Sequence, residues 1–276
     1  MSLKNKNVLI TGASMGIGAA IAKRLAKSQA NPILSARSGD KLYALAKEIG
    51  ETETKISIYT QIVDIQSHAS IDTALKGIVE ELGPIDILIN NADLTLGAPA
   101  PFPDLKIEDI ITMTGTNING MMFTTYAVLN SGGMRERGTG MIINITSTTA
   151  LEVPPFPGES VYHSCKAAQE GFTNSLRTEL VGTNIKVVAL RPDVVATNFH
   201  GLRVGFDGNM YEEFMRGFEP LVAGDVAETA AWVLEGVGGV ANERVCVKAV
   251  DVVRTAQRSL SVFDRGWNER NGAGGD

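Results

Sequence analysis

The sequence predicts an α/β fold, a single doubly wound domain built on a mainly parallel seven-stranded sheet. Two observations predict it: short runs rich in Val and Ile recur along the chain, and stretches of helical periodicity lie between them. The runs, which are typical of buried strands, cover residues 7–11, 32–36, 56–62, 85–90, 141–146, 185–191 and 244–250. The main helical stretches, in which apolar residues return every three or four positions, cover residues 17–28, 41–49, 71–82 and 162–181. Strands joined by connections of helix length pair in parallel through right-handed crossovers, so helices cover both faces of the sheet.

The organisation of the chain is that of one domain with two irregular segments. No linker, repeat or low-complexity block divides the sequence, so we predict a single domain over residues 1–256. Residues 198–222 break the alternation with glycines, aromatics and mixed charge, which is typical of a lid over a binding site. Residues 257–276 are expected to form a C-terminal extension, whose glycine-rich polar end predicts fraying.

Composition and charge exclude several classes of partner. The formal net charge of -6 provides no basic surplus for binding nucleic acid or an anionic membrane. The first apolar run, residues 8–10, is too short for a signal peptide or a membrane span. Cys165 and Cys246 fit neither a disulfide framework nor a zinc spacing, and the three histidines are scattered, so we expect no metal site and a cytoplasmic location.

A glycine-rich turn follows the first predicted strand and leads into a helix. Gly12, Gly16 and Gly18 lie within residues 11–18. Glycines allow close backbone approach, and the helix that follows offers unpaired N–H groups to a pyrophosphate, to which Ser14 can add a hydroxyl. The spacing Gly-x3-Gly-x-Gly departs from the general Rossmann fingerprint, but a plain strand-to-helix turn would need only one glycine. The turn therefore predicts a dinucleotide site.

The end of the second predicted strand indicates which dinucleotide binds. An NAD enzyme usually offers a carboxylate here to the ribose 2′-hydroxyl. Ala36 stands in that place, and Arg37 with Ser38 supplies a guanidinium and a hydroxyl suited to a 2′-phosphate. The pattern favours NADP, and the alternative is that Arg37 is only a solvated residue at the sheet edge.

Tyr162 and Lys166 lie four residues apart at the start of a predicted helix, so they share one face. A nearby cation favours the phenolate of a tyrosine, which brings the phenol pKa toward the working range of a general acid or base. Such a pair is common on helices by chance. Ser147, however, directly follows the strand over residues 141–146. The carboxyl ends of strands are where open α/β sheets bind ligands.

Together these motifs resemble the short-chain dehydrogenase/reductase family over roughly residues 5–250. The matching positions are residues 11–18, Asp64, residues 90–92, Asn117, Ser147, Tyr162, Lys166 and residues 192–197. The resemblance implies that Tyr162 is the general acid/base and that Lys166 binds the nicotinamide ribose and lowers the tyrosine pKa. It further implies that Ser147 orients the carbonyl and that Asn117 holds a water in a proton relay. Hydride chemistry belongs to the cofactor.

The resemblance also implies the cofactor contacts. Asp64 would contact the adenine, Asn91 and Ala92 would line the adenosine-ribose side, and Val194 and Thr197 would hold the nicotinamide amide. The full expected cofactor set is Gly12, Ser14, Gly16, Ile17, Gly18, Arg37, Ser38, Asp64, Asn91, Ala92, Tyr162, Lys166, Pro192, Val194 and Thr197. A homodimer or homotetramer follows from the same resemblance.

Three places depart from the family pattern. Asp93 and Asp193 stand where the family usually has glycine. One explanation is that aspartate tolerates left-handed backbone geometry; the other is that a carboxylate faces the substrate cavity and disfavours acid substrates. The third departure is a loop two residues longer between Ser147 and Tyr162, which leaves Thr149 as an alternative to Ser147.

The substrate is indicated by residues 197–203, followed by Gly205 and Gly208, which resemble the NADP-dependent 3-hydroxy acid and serine dehydrogenases. Arg203 would bind a substrate carboxylate there, or is a solvated residue. We therefore predict an NADP(H)-dependent oxidoreductase that interconverts a carbonyl and a secondary alcohol, such as a 3-hydroxy acid. The alternatives are a reductase of neutral ketones, aldehydes or sugars, and a non-catalytic NADP-sensing binding protein.

Overall fold

The computed structural model describes residues 3–154, 158–197, 199, 212–213, 216–236, 239–240, 242 and 244–272. The strands in chain order are β1 (Asn7–Thr11), β2 (Asn31–Ala36), β3 (Tyr59–Ile62), β4 (Ile87–Asn90), β5 (Thr139–Ile145), β6 (Asn184–Pro192), β7 (Val195–Ala196), β8 (Leu221–Val222), β9 (Ala249–Val252), β10 (Gln257–Ser259) and β11 (Val262–Phe263). The α-helices are α1 (Gly16–Lys27), α2 (Gly39–Thr52), α3 (His68–Leu82), α4 (Ile107–Thr114), α5 (Met121–Leu129), α6 (Met134–Arg137), α7 (Ser160–Glu179), α8 (Ala223–Glu235) and α9 (Trp267–Asn271). Short 3-10 turns cover Phe102–Asp104 and Thr148–Ala150, and a π-helical turn, Gly115–Gly120, joins α4 to α5.

The main sheet has seven strands in the order β3-β2-β1-β4-β5-β6-β9. Every neighbouring pair in it is parallel, which confirms the predicted doubly wound sheet. The strand order reverses between β1 and β4, and the crevice at such a reversal is where open α/β sheets bind ligands. The fold therefore places the glycine turn after β1 beside the loop after β4.

Two apolar layers hold the sheet between helices. Because side chains alternate along a strand, Val8 and Ile10 of β1 join the layer under α1, α2 and α8, while Leu9 joins the opposite layer under α3, α5 and α7. The core side chains of both layers are almost completely buried. A third, smaller cluster, which includes Met113 and Cys165, packs α4 against the start of α7.

The structure differs from the prediction at the last strand of the sheet. We expected residues 244–250, whereas β9 covers Ala249–Val252. The reason is that β9 is an edge strand and pairs only with the final residues of β6, from Ala189 to Pro192. Pairing with one neighbour rather than two leaves the apolar residues before Ala249 outside the sheet.

The described part of the C-terminal extension contains a hairpin that packs against the domain. β10 and β11 form an antiparallel pair, and Leu260 between them is buried. The amide of Leu260 donates to Glu152 Oε2 at 2.9 Å, so the hairpin is anchored to the loop that follows β5. None of the helices in the described ranges is long and apolar enough to cross a membrane.

Candidate active site

The candidate site lies at the carboxyl ends of the central strands. The glycine turn follows β1, Asn91 to Asp93 follow β4, Ser147 follows β5 and Asp193 follows β6. Tyr162 and Lys166 come from the first two turns of α7 and are both buried. The fold thus brings the predicted catalytic and cofactor residues to one edge of the sheet.

The glycines of the turn are required by its geometry. Gly12 has φ +65°, and a Cβ there would lie 2.7 Å from Ala92 Cα. A Cβ on Gly18 would lie 2.5 Å from the carbonyl oxygen of Gly12, and Gly16 has φ +59° with Thr197 packed above it. The absence of these side chains leaves a backbone cradle between β1 and the loop after β4.

The start of α1 fits a phosphate group. Its first turn has no acidic residue, and the N-cap residue Met15 makes no side-chain hydrogen bond to it. Free amides and the positive end of the helix dipole favour an anion at this point. Ser14 is half-buried in the turn, and Ile17 is half-buried against the core.

The predicted adenosine end of the site is open to solvent. Arg37 and Ser38 are exposed directly after β2, and the amide of Ala13 donates to the carbonyl of Ser35 at 3.1 Å, which holds that strand end beside the glycine turn. Asp64 is exposed after β3, where its Oδ1 accepts from the Gln66 amide. An exposed guanidinium here is accessible to a dianionic phosphate.

The loop after β4 is fastened to the glycine turn by side-chain hydrogen bonds. Asn91 Nδ2 donates to the carbonyls of Thr11 and Gly12 at 3.0 and 3.2 Å. Thr11 Oγ1 in turn accepts from the amides of Asn91 and Ala92. The two loops therefore form one unit, and the Asn91 side chain acts within it as a structural tie.

Lys166 has a partner for each of its three ammonium protons. Its Nζ donates to Ile145 O at 3.1 Å and to Gln169 Oε1 at 3.2 Å, and it lies 2.9 Å from Asp93 Oδ2. The same nitrogen is 5.6 Å from the centroid of the Tyr162 ring. The ammonium therefore lies near the phenol, and each of its three protons has a protein partner.

Asp93 lies inside this network. Asp93 Oδ2 lies 2.9 Å from Lys166 Nζ, and the Tyr162 hydroxyl interacts with the same carboxylate. Asp93 Oδ1 is buried and has no hydrogen-bond partner. Burial raises the pKa of Asp93 above its ordinary value, although the charge and hydrogen bond of Lys166 and the bond from Tyr162 act against this.

The backbone at Asp93 and Asp193 does not support the first explanation, that aspartate is tolerated there because it accepts left-handed geometry. Outside glycine, the described residues with positive φ are Asn5 and Gln29. Asp93 and Asp193 therefore do not occupy left-handed backbone, and tolerance of that geometry does not explain them.

Asp193 does not face a substrate cavity. Its Oδ2 lies 2.6 Å from the Arg254 guanidinium, with both side chains buried. Its Oδ1 accepts from Thr148 Oγ1 at 3.3 Å, and the guanidinium carbon is 4.4 Å from the centroid of the Phe218 ring and 5.3 Å from that of Phe263. The cavity hypothesis is wrong for Asp193, because Arg254, which follows β9, neutralises its charge.

Ser147 and Thr149, the two alternatives for the carbonyl-binding hydroxyl, are bonded to each other. Thr149 donates to Ser147 Oγ through its amide at 3.2 Å and its hydroxyl at 2.9 Å. Ser147 Oγ donates to Pro192 O at 3.4 Å, and His163 Nδ1 contacts the Thr149 carbonyl. Thr149 thus supports Ser147, and this turn is tied both to the end of β6 and to α7 beside Tyr162.

Asn117 lies fully buried in the π-helical turn. Its Oδ1 accepts from the Leu94 amide at 3.0 Å, and its Nδ2 donates to the Leu94 carbonyl at 2.7 Å. Its own carbonyl accepts from Gln169 Nε2 at 2.7 Å. The expected water-holding groups of Asn117 therefore have protein partners, and the Gln169 amide bridges Asn117 and Lys166.

Sequence reasoning missed Gln169. The available signal was a polar side chain three residues after Lys166 and seven after Tyr162, on the helix face that both share. Gln169 is buried, and a buried amide requires hydrogen-bond partners.

The remaining predicted residues lie around this centre or outside the described part. Pro192, the last residue of β6, and Val194 are buried, and the carbonyl of Val194 accepts from the Leu221 amide at 3.2 Å. The Phe199 ring is 5.5 Å from that of Tyr162, so the predicted lid begins beside the phenol. Arg203 and most of the lid lie outside the described residues. Within the described ranges, no three His, Cys, Asp or Glu side chains cluster as metal ligands would.

A comparison with protein families gives one match over most of the chain. The model of the family described as short chain dehydrogenase matches residues 6–203. That span includes the glycine turn, Asn117, Ser147, Tyr162 and Lys166.

Individual relatives agree with the family match. NADP-dependent 3-hydroxy acid dehydrogenase of Schizosaccharomyces pombe is 36% identical over 233 residues, which cover 84% of this chain and 88% of that protein. Sulfoacetaldehyde reductase 2 of Chromohalobacter salexigens is 35% identical over 222 residues, covering 80% and 85%. The closed form of serine dehydrogenase complexed with NADP+ superposes with a TM-score of 0.80 at 32% identity, covering 93% of this chain and 98% of the other.

Proposed function

The chain belongs to the short chain dehydrogenase family, and we propose that it interconverts a carbonyl and a secondary alcohol with NADP(H) as the hydride carrier. The observation that supports this most is the buried Tyr162 and Lys166 pair on α7, at the same sheet edge as the glycine turn and Ser147. An NADP-sensing protein without catalysis is less well supported, because Ser147, Tyr162, Lys166 and Asn117 are all present.

NADP(H) is proposed as the cofactor on two grounds. Ala36 replaces the usual acid after β2, and Arg37 and Ser38 are exposed there, which suits a 2′-phosphate. Relatives at this level of identity are named as NADP-dependent or were solved with NADP+. We assign the diphosphate to the amides of the turn over residues 11–18, and the bound cofactor supplies the hydride chemistry.

Three side chains would carry out the proton and orientation chemistry. In the reducing direction the Tyr162 hydroxyl gives its proton to the carbonyl oxygen, which becomes the alcohol. Ser147 donates a hydrogen bond to the same oxygen and orients it, while Thr149 holds Ser147 in place. The positive charge of Lys166, 5.6 Å from the ring centroid, stabilises the phenolate that remains.

We propose a small anionic substrate, with a 3-hydroxy acid as the first candidate. The named relatives include enzymes of hydroxy acids and of a sulfonated aldehyde, and Arg203 is the candidate anion-binding residue. A preference for neutral ketones or sugars rested on a carboxylate that faces the substrate. Asp193 is paired with Arg254 and Asp93 with Lys166, so that argument loses its support.

The organisation of the protein is proposed on the same basis. We propose one domain over residues 1–256 with a lid at 198–222, a homo-oligomer, and a cytoplasmic location. The large apolar side chains of Ile107, Ile111 and Tyr126 are exposed on α4 and α5. An exposed apolar surface of this kind on neighbouring helices suits contact with a second subunit.

The test is a panel of 3-hydroxy acids and neutral alcohols, with the corresponding carbonyls, assayed with NADPH and NADH in parallel. Tyr162→Phe is expected to lower kcat about 100-fold or more, because the proton donor is lost, while NADPH affinity changes little. Tyr43→Phe, the same change at an exposed tyrosine on α2, is the matched control and should leave kcat unchanged. A Tyr162→Phe protein with wild-type kcat would contradict the proposal.

A further inference from the structure

We propose that Asp93 is a catalytic acid/base that exchanges a proton with Tyr162 and passes it to solvent. This inference rests on the proposed function, since it concerns the proton that Tyr162 gives to a carbonyl. The geometry that points to it is a carboxylate oxygen 2.9 Å from the Lys166 ammonium, which itself lies 5.6 Å from the centroid of the Tyr162 ring.

A proton that leaves Tyr162 must be replaced before the next turnover, and among the protein groups that contact Lys166 only Asp93 can supply one. Two of the three partners of Lys166 are the Ile145 carbonyl and the Gln169 amide oxygen, neither of which releases a proton at ordinary pH. The Asn117 carbonyl is occupied by Gln169 Nε2. An amide in that position holds the network together, but it does not conduct a proton as a water or a carboxyl group does.

Asp93 is the partner that can hold a proton. Its Oδ1 is buried without a hydrogen-bond partner, so the carboxylate has fewer hydrogen bonds than it would have in water. Burial accordingly raises the pKa of the carboxyl group, despite the nearby ammonium. A carboxyl group whose pKa moves toward the working pH is suited to proton exchange.

Asp93 also has access to solvent. Its side chain is 15% exposed, against 1% for Lys166. The ionisable groups that face it in the described part of the chain are Tyr162, Lys166 and Cys165, all on α7. The pKa of Cys165 is raised to about 11 by burial and by the Asp93 charge, so the thiol keeps its proton and does not compete.

The proton transfers balance in both directions. During reduction the substrate carbon receives the hydride and the carbonyl oxygen receives the Tyr162 proton. The Asp93 carboxyl group then gives its proton to the phenolate, which is the stronger base, and the resulting carboxylate takes a proton from water or buffer at its exposed side. Oxidation of the alcohol reverses each transfer. The Lys166 ammonium, 2.9 Å from Asp93 Oδ2 and 5.6 Å from the centroid of the Tyr162 ring, stabilises whichever of the two oxygens is negative.

The test compares Asp93→Asn with Asp104→Asn, the same change at an exposed aspartate in the loop before α4. Asp93→Asn is expected to lower kcat for carbonyl reduction about 10- to 100-fold, with NADPH affinity within about threefold of the wild type by fluorescence titration. Added acetate or imidazole should restore part of the lost kcat, which a purely structural role would not allow. Asp104→Asn should behave as the wild type. Asp93→Ser provides a second variant without the carboxyl group.

A second readout does not require turnover. In the apoprotein, ultraviolet absorbance follows the ionisation of Tyr162, which is identified by subtracting the titration of Tyr162→Phe. Removal of the neighbouring negative charge in Asp93→Asn should move this step to lower pH by about one unit. If the wild type transfers no hydride to any substrate, the proposed function fails, and the absorbance titration still tests the Asp93 contact. Wild-type kcat in Asp93→Asn without buffer dependence, or an unmoved tyrosine step, would overturn the inference.

Discussion

Replacement of Arg254 by Met is expected to destabilise the protein strongly. The guanidinium lies 2.6 Å from Asp193 Oδ2, and the Asp193 side chain is completely buried. Gln257 Oε1 accepts from the same nitrogen of Arg254 at 3.1 Å, and Phe218 stacks against the guanidinium. Met fills similar space on the rings but leaves the carboxylate without its cation.

The size of the effect follows from the buried charge. Breaking a buried pair by removing one partner costs about 3–5 kcal/mol, because the other charge stays in a low-dielectric environment. The lost cation–π contact adds about 1 kcal/mol. With a urea dependence of about 3 kcal/mol per molar, the unfolding midpoint should fall by roughly 1 to 2 M. The pair flanks Thr148, the neighbour of Ser147, through the Thr148–Asp193 bond, so the substrate KM should rise as well.

The assay is urea unfolding followed by tryptophan fluorescence on a double-mutant cycle. Arg254→Met combined with Asp193→Asn should recover most of the loss, since no buried charge remains unpaired. Arg135→Met, at an exposed arginine on α6, is the matched control and should change the unfolding free energy by less than about 0.5 kcal/mol. If Arg254→Met unfolds at the same urea concentration as Arg135→Met, the reasoning is refuted.

Three further predictions concern the cofactor site and the thiols. Arg37→Ala should raise the KM for NADPH about 10- to 100-fold and leave that for NADH nearly unchanged, because only NADPH carries the 2′-phosphate; equal effects on both cofactors would speak against the assignment. Gly12→Ala should lower NADPH affinity at least tenfold and stability by about 1–2 kcal/mol, since its Cβ would meet Ala92 Cα at 2.7 Å with φ at +65°; binding titration and urea unfolding measure the two effects, and wild-type values would disprove the clash. In native protein at neutral pH only Cys246, which is exposed, should react with a thiol reagent, because the pKa of buried Cys165 is about 11; two fast-reacting thiols would be the contrary result.

The parts of the fold that local patterns encode were predictable from the sequence. The strand over residues 7–11 has the bounds that its run of apolar residues indicates, because it lies between two neighbouring strands that bury it. The edge strand β9 begins five residues later than predicted, because one-sided pairing sets its limits and the sequence does not show which residues of β6 are free.

The candidate site was predictable in its residues and not in its contacts. Asp93 and Asp193 stand out in the sequence as acids in place of glycine, but their partners come from distant positions. Lys166 reaches Asp93 from α7, and Arg254 reaches Asp193 from beyond β9. Such pairs form only when distant segments meet at the edge of the folded sheet. The spacing of residues along the chain does not show which segments meet.

The π-helical turn Gly115–Gly120 limits insertions and deletions in this region of the chain. It joins α4 and α5 into one continuous helix, in which Met113 packs toward α7 before the turn and Val128 packs under the sheet after it. A helix advances about 100° per residue, so deletion of a single residue here would rotate one half relative to the other by about that angle. Only one of the two packing faces could then keep its neighbours. The turn therefore fixes the rotation of one half of the helix relative to the other, and each half is buried against a different layer. We expect insertions and deletions to be excluded from it.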